Sequence, residues 1–191
     1  MRPTPGRRRG PARPPTAAGA GWSALDRAVL GALAGLAGTL AMTAAMRAMH
    51  QRLPRSERYP LPPREIIESS LPEPAKAALG EQGRQTATVA AHFGYGALSG
   101  AGYGAAGLRG GILGGALYGV LVWAGSYFGL MPGLGILEPA QRHPANRNLL
   151  MIGAHLVWGG TLALTLRELE HARREIFATD IAPDRRRPDL R

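Results

Sequence analysis

The chain has 191 residues and no cysteine, and its 23 Lys and Arg outnumber its 13 Asp and Glu. This length fits one domain, and the absence of cysteine excludes disulfides and thiolate metal sites. The net charge of +10 would suit a nucleic-acid-binding protein, but the basic residues are confined to the two ends, one long loop and short turns. The charge pattern therefore predicts no nucleic-acid partner.

The first residues and the uncharged runs after them set the predicted organisation. Residues 1–24 are rich in Pro, Arg, Gly and Ala, which predicts a disordered basic tail. Four uncharged runs follow, each long enough for a helix to cross a hydrocarbon core of roughly 30 Å. They predict an all-α membrane protein, a tightly packed Gly/Ala-rich bundle of four transmembrane helices within residues 25–170. The predicted spans are residues 28–47, 86–107, 110–131 and 148–167. The second predicted span is the least apolar. The alternative is therefore a protein with three spans, in which this segment lies at the membrane interface or packs against the neighbouring helices.

The connecting segments differ in length. A proline-rich outer loop, residues 48–85, joins the first two spans, and PPREIIESSL (62–71) within it predicts a short helix because proline fits a first helical turn. The next two spans form a hairpin with Arg109 at its tip. The last span continues into LRELEHARREIF (166–177), which predicts a helix that extends beyond the membrane, and residues 171–191 end the chain as a charged tail.

The distribution of Lys and Arg predicts the orientation. With both termini in the cytoplasm, fourteen Lys and Arg lie on the inner side and nine on the outer side. Because these residues accumulate on the cytoplasmic side, we expect both termini inside, with the lipid bilayer as environment and anionic headgroups as partners of the basic tails. The Arg-rich, Lys-poor composition is typical of a GC-rich bacterial genome.

Glycines recur at a spacing of four in the first three spans. Small residues at this spacing let membrane helices approach closely, so we expect them to pack the second span against the third. Homo-oligomerisation through the same faces is the alternative. The predicted helix-packing residues are Gly31, Gly35, Gly96, Gly100, Gly104, Gly111, Gly115 and Gly119.

Polar residues inside a membrane are costly and usually face a partner or a cavity. The candidate polar cluster comprises His92, Tyr95, Ser99, Glu138, His143 and His155. His92 and His155 lie at matched depth in their spans, roughly 10 Å below the outer face, and Glu138 and His143 lie in the outer loop above them. Three interpretations of the histidines are open: interhelical hydrogen-bonding groups, a proton-responsive or substrate-lining cluster, or metal ligands together with Glu138. Imidazole titrates near about pH 6.5, but no HxxxH or HxxEH pair supports a metal, so neither metal nor cofactor is predicted.

The sequence lacks recognisable catalytic machinery. It has no Ser-centred elbow, no P-loop and no paired catalytic carboxylates. We therefore expect a structural or accessory membrane protein rather than an enzyme. The alternative is a small transporter or channel component with a pH-responsive path lined by His92, Tyr95, Ser99 and His155. A third hypothesis is a membrane-embedded enzyme that uses Glu138, His143 and His155.

Several short motifs carry a resemblance to a known family. They are PLPPRE (60–65), a His that opens the second span, GGILGGALYG (110–119), and GAHLVWG (153–159) with the LRELEHARRE that follows it. Together they resemble the YagU-like family of small bacterial inner-membrane proteins, over residues 25–175. The resemblance implies a multi-pass protein of the bacterial inner membrane without an established biochemical activity.

Overall fold

The computed structural model describes residues 22–176, which form helices joined by turns. The main helices are α1 (Ala24–His50), α2 (Pro62–Ser70), α3 (Glu73–Ala105), α4 (Gly111–Gly125) and α5 (Ala145–Glu175). Shorter helical turns are Arg55–Glu57, Ser126–Leu130, Met131–Gly133 and Ala140–Arg142. The predicted all-α fold is confirmed for this part of the chain, and most of both predicted tails lies outside the described residues.

Three helical segments are long and apolar enough to cross a membrane: Ala24–His50, Gly111–Gly133 and Ala145–Glu175. Their length and composition are those of a membrane protein. Helix α3, the predicted second span, is not one of the three. Its first half carries charges such as Glu81 and Arg84, and its second half is rich in glycine rather than in leucine or isoleucine.

Local sequence explains where the helices begin. The Ser23 hydroxyl accepts a hydrogen bond from Asp26 N at 3.0 Å, and the Asp26 carboxylate accepts one from Ser23 N at 3.2 Å, which together cap α1. Proline occupies the first turn of α2, the short helix predicted from the sequence. Helix α3 begins at Glu73, so the second half of the predicted outer loop 48–85 is helical, and its place outside the membrane stays a prediction. Gly80 interrupts that helix with a φ of 61°, a conformation that glycine adopts without steric cost.

The long helices pack side by side in the order α3, α1, α5, α4. Extensive contacts join α1 to α3, α1 to α5 and α4 to α5, and consecutive members of this row run antiparallel. Helices α3 and α4 are consecutive in the chain but are not among these closely packed pairs. The expectation that the second and third spans pack against each other is therefore wrong.

The glycines of α3 and α4 face α1 and α5 instead of each other. A Cβ atom added to Gly31 of α1 would overlap the Gly100 carbonyl of α3, and one added to Gly115 of α4 would overlap the Gly159 carbonyl of α5. The other predicted glycines at which a Cβ would clash are Gly35, Gly96, Gly100, Gly104 and Gly119. Gly111 is the exception, because nothing lies within 4 Å of a Cβ placed there. These glycines thus serve contacts within the chain, and self-association stays a prediction.

Candidate functional site

A cavity of about 270 Å³ lies where α3 and α4 separate. It occupies the half of the bundle nearest the connections from α1 to α3 and from α4 to α5, which we call the loop end. The opposite half, with the α3–α4 turn, is the termini end. All five helices contribute to the cavity wall, for example through Met42 (α1), Ile66 (α2), Ala91 (α3), Val122 (α4) and Met151 (α5).

Four of the six residues of the predicted polar cluster line this cavity. His92, Tyr95 and Ser99 lie on the α3 wall, and His155 lies on the α5 wall. His155 is buried, whereas Tyr95 is 39 % exposed and marks the place where the cavity approaches the surface between α3 and α4. His92 and His155, for which the sequence predicts one depth in their predicted spans, thus line the same cavity.

The other two residues of the predicted cluster lie elsewhere, in the loop after α4. The exposed Glu138 carboxylate pairs with Arg142 at 3.2 Å, and His143 Nε2 donates to the Glu138 carbonyl at 3.1 Å. The His143 ring lies outside the cavity wall, against the ring of Tyr127, which lines the cavity; the two ring centroids are 6.0 Å apart. The enzyme hypothesis required Glu138 and His143 to lie beside His155 in one site. The structure does not bring these three residues together. Within residues 22–176, no three His, Cys, Asp or Glu side chains converge as metal ligands would.

Hydroxyl groups bridge the gap between α3 and α4. Ser126 donates its hydroxyl proton to the Val122 carbonyl at 2.9 Å, so Tyr95 OH is the donor to Ser126 Oγ at 2.8 Å. Nearer the termini end, Tyr118 OH donates to the Ser99 carbonyl at 2.8 Å. The separation of the two helices is thus spanned by tyrosine side chains.

An aromatic layer closes the cavity towards the termini end. The Trp158 side chain, 2 % exposed, donates its Nε1 proton to Thr39 Oγ1 at 3.2 Å. Its ring stacks on Tyr118 with centroids 6.0 Å apart, and the ring of Tyr103 packs at a tilt of 56° against Tyr118, with centroids 5.0 Å apart. We call Tyr103, Tyr118 and Trp158 the aromatic layer.

A second cavity, of about 150 Å³, lies on the other side of the aromatic layer, at the termini end. Arg109, the predicted tip of the hairpin, forms an ion pair there with Glu170 of α5. The Glu170 side chain is buried, whereas that of Arg109 is largely exposed. This ion pair ties the α3–α4 turn to α5 at the end opposite the larger cavity.

Arg147, in the first turn of α5, is a site residue that the sequence reasoning missed. Its guanidinium is 4 % exposed, donates to the carbonyls of Tyr59 at 3.1 Å and Pro60 at 2.9 Å, and pairs with Glu65 at 3.3 Å. These bonds hold the start of α2 against the bundle, where Ile66 lines the cavity. One signal was available, because a cation in the first turn of a helix opposes the helix dipole and needs compensating partners.

A second charged network joins α2 to α3. Arg64 of α2 and Arg84 of α3 each donate to the Glu81 carboxylate at 2.7 Å. These hydrogen bonds lower the pKa of Glu81 to about 2, and the one from Arg64 has the larger effect. Burial has the opposite effect on Glu65, whose pKa it raises by more than the neighbouring Arg147 lowers it. Helix α2 is thus fixed over the loop end of the cavity by charged groups on two sides.

No protein-family model matches the chain, and neither a curated protein nor a solved structure matches it. The YagU-like resemblance stays a prediction carried by short motifs. Two of these motifs supply residues of the cavity: PLPPRE provides Pro62 and Pro63, and GAHLVWG provides His155 and Trp158.

Proposed function

We propose that the protein is a small transporter of the bacterial inner membrane, with four spans and both termini in the cytoplasm. The observation that supports it is the cavity between α3 and α4, with His92, Tyr95, Ser99 and His155 on its wall. Protein interiors normally close such gaps, because a void forfeits van der Waals contacts. A cavity with polar groups on an apolar wall is typical of a ligand site, and it favours transport over the structural or accessory role.

The fourth span is part of this proposal. Helix α3 runs alongside α1, with Gly31 so placed that a Cβ on it would lie 3.1 Å from Gly104 Cα. The second half of α3 therefore lies at the same depth as α1, which is apolar enough to cross a membrane. The polar His92 lines the cavity, while Val89 and Leu98 are 57 % and 71 % exposed on the outer surface. A span that borders a cavity needs this division, with polar groups inward and apolar groups towards lipid.

The protein has a cavity at each end of the bundle, with a packed layer between them. This arrangement favours movement of a ligand across the membrane over retention of a ligand at one site. The larger cavity lies at the loop end, the smaller one at the termini end, and the aromatic layer lies between them. Transport by alternating access requires a site that opens to one side while a packed layer closes the other. The excess of Lys and Arg on the side of the termini supports an orientation in which the larger cavity faces outward.

Single cysteines test this proposal, because the chain contains none of its own. Ser99→Cys and Ser126→Cys place thiols on the cavity wall, Ala34→Cys places one at a fully buried position of α1, and Ser70→Cys places one at an exposed position. N-ethylmaleimide crosses membranes but reacts with the thiolate, which forms in contact with water. We expect labelling in cells at the two cavity positions and at Ser70→Cys, and none at Ala34→Cys.

The same cells report the orientation when a membrane-impermeant maleimide is used. Ser70→Cys should react in intact cells and Ser23→Cys only after permeabilisation. If both cavity cysteines are as unreactive as Ala34→Cys while Ser70→Cys reacts, the gap is closed in the membrane and the structural or accessory role replaces transport. If Ser70→Cys reacts only after permeabilisation, the orientation is wrong.

A further inference from the structure

The chemistry of the cavity wall indicates the kind of molecule it would take, an inference that rests on the proposed function. Among the described residues on this wall there is no Asp, Glu, Lys or Arg, and most of the surface comes from Met, Pro, Val, Ile and aromatic side chains. A charged ligand would lose its hydration here without gaining a counter-ion. The wall therefore selects a neutral molecule.

Several polar groups on the wall already have partners within the protein. Thr39 Oγ1 donates to the Gly35 carbonyl at 2.8 Å and accepts from Trp158 Nε1. Tyr95 OH donates to Ser126 Oγ. These groups shape the cavity, and their hydrogen bonds do not depend on a ligand.

The two histidines each keep one acceptor nitrogen. The Met151 carbonyl, 2.8 Å from His155 Nδ1, can only accept, so Nδ1 carries the proton and Nε2 is left as the acceptor of the neutral ring. Thr43 donates its single hydroxyl proton to the Thr39 carbonyl at 2.7 Å. His92 Nε2, 3.3 Å from Thr43 Oγ1, is therefore the donor of that pair, and His92 Nδ1 is the acceptor.

Tyr127 supplies the complementary group. Its side chain is 5 % exposed and lines the cavity, and its hydroxyl has no hydrogen-bond partner among residues 22–176. Buried hydroxyls in folded proteins are normally paired. This unpaired hydroxyl is buried, and it belongs to a residue of the cavity wall. It is therefore a position at which a ligand would complete the hydrogen bonding.

The volume limits the size of the ligand. A protein cavity of roughly 150 Å³ accommodates one benzene ring. The cavity between α3 and α4 measures about 270 Å³, which leaves room for two fused rings with a small substituent.

We infer that the cavity binds a neutral, largely apolar alcohol or phenol the size of two fused rings. Its O–H would donate to His155 Nε2, and its oxygen would accept from the Tyr127 hydroxyl. A hydroxyl fits because it offers one donor and an acceptor in a single group. Such a molecule dissolves in the bilayer and reaches the cavity between α3 and α4, beside the half-exposed Tyr95.

Three probes with one ring system test this inference: 2-naphthol, 2-methoxynaphthalene, which lacks the proton, and 2-naphthoate, which is charged. Binding to the full chain in lipid nanodiscs is followed by quenching of tryptophan fluorescence, since Trp158 lines the cavity, and empty nanodiscs correct for partitioning. One hydrogen bond corresponds to about 3- to 10-fold in affinity. We expect 2-naphthol to bind more tightly than 2-methoxynaphthalene by this factor, and 2-naphthoate not to bind.

Two matched variants locate the hydrogen bonds. His155→Asn keeps a donor near Nδ1 and removes the acceptor at Nε2, and Tyr127→Phe removes only the hydroxyl. His155→Asn should bind 2-naphthol no better than 2-methoxynaphthalene. Tyr127→Phe should bind both probes more weakly and leave their ratio unchanged, because either oxygen can accept from the Tyr127 hydroxyl. Unfolding temperatures show that both variants fold. A third variant, Val122→Phe, reduces the cavity volume and should abolish binding of both neutral probes.

The outcomes separate the inference from the proposed function. If the two neutral probes bind equally in all proteins except Val122→Phe, the cavity binds ligands but the hydroxyl specificity is wrong. Preferential binding of 2-naphthoate also overturns the inference. If no probe binds beyond the empty nanodisc, the inference fails, and the labelling of Ser99→Cys and Ser126→Cys decides separately whether the proposed function stands.

Discussion

Helix α3 meets its two neighbours in different ways. Against α1, glycine lies on glycine, so that a Cβ at Gly100 would overlap the Gly31 carbonyl. Against α4, Tyr95 reaches across to Ser126, and a cavity of about 270 Å³ remains beside this hydrogen bond. One helix thus forms a closed seam with α1 and an open one with α4.

Side-chain volume explains the difference. Apolar side chains gain little by leaving lipid for another helix, so membrane helices associate through close backbone approach and interhelical hydrogen bonds. Glycine allows the first, whereas the hydroxyls of Tyr95 and Tyr118 provide the second and keep the backbones a side chain apart. The closed seam is therefore held by packing, and the open seam by a few hydrogen bonds and by the cover that α2 provides.

Removing the cover of the open seam should have the largest effect. Arg147→Ala leaves the carbonyls of Tyr59 and Pro60 and the carboxylate of Glu65 without their buried cation. Removing one partner of a buried ion pair costs about 3–5 kcal/mol. We expect a lower unfolding temperature and faster hydrogen exchange in residues 55–65, measured by mass spectrometry, with little change along the α1–α3 seam.

Arg142→Ala is the matched control for this experiment. Arg142 lies just before α5, and its side chain is 67 % exposed and pairs with the exposed Glu138. Its removal should change the free energy of unfolding by less than about 1 kcal/mol. Equal effects of the two substitutions would mean that Arg147 does not hold α2 in place.

Filling the closed seam should have the next largest effect. Gly100→Ala places a methyl group against the Gly31 carbonyl and must push α3 away from α1. Overpacking of this kind costs about 1–3 kcal/mol. Gly94→Ala lies on the same helix in open space and should instead stabilise the protein, by about 0.5–1 kcal/mol. Thermal unfolding of both variants in one detergent tests the difference, and equal unfolding temperatures would show that the seam is not closely packed.

The sequence predicted helices and depth better than it predicted neighbours. His92 and His155 could be placed at one level by counting residues from the ends of their predicted spans, because helical rise is constant, and both line the cavity. The partners of the glycine faces could not be found in this way. A spacing of four is the same on α3 and on α4, and the lateral order of the helices decides what each face meets.

The role of Arg147 was not predicted from the sequence, for a different reason. Its partners at Tyr59 and Pro60 are backbone carbonyls, which every residue carries, and they lie 88 and 87 residues away in the chain. The position of Arg147 in the first turn of α5 indicates that compensating partners exist, but the side-chain pattern does not identify these carbonyls. Glu138 was grouped with the histidines because it lies in the loop above them, but it pairs within that loop, with Arg142.

The smallest expected effect tests the hydrogen bonds across the open seam. Tyr118→Phe removes the hydroxyl that donates to the Ser99 carbonyl and should cost about 0.5–1.5 kcal/mol. Tyr103→Phe is the control, since Tyr103 belongs to the same aromatic layer and its hydroxyl makes no hydrogen bond to another side chain or carbonyl within residues 22–176. Thermal unfolding should separate the two variants.

A second readout shows what this hydrogen bond does. In a Ser126→Cys background, Tyr118→Phe should raise the rate of maleimide labelling, because α3 and α4 can then separate more often. Tyr103→Phe should leave that rate unchanged. If Tyr118→Phe lowers stability without changing the labelling rate, the width of the gap is set by the seams with α1 and α5, and the hydroxyl bridge only follows a separation that the glycines have already fixed.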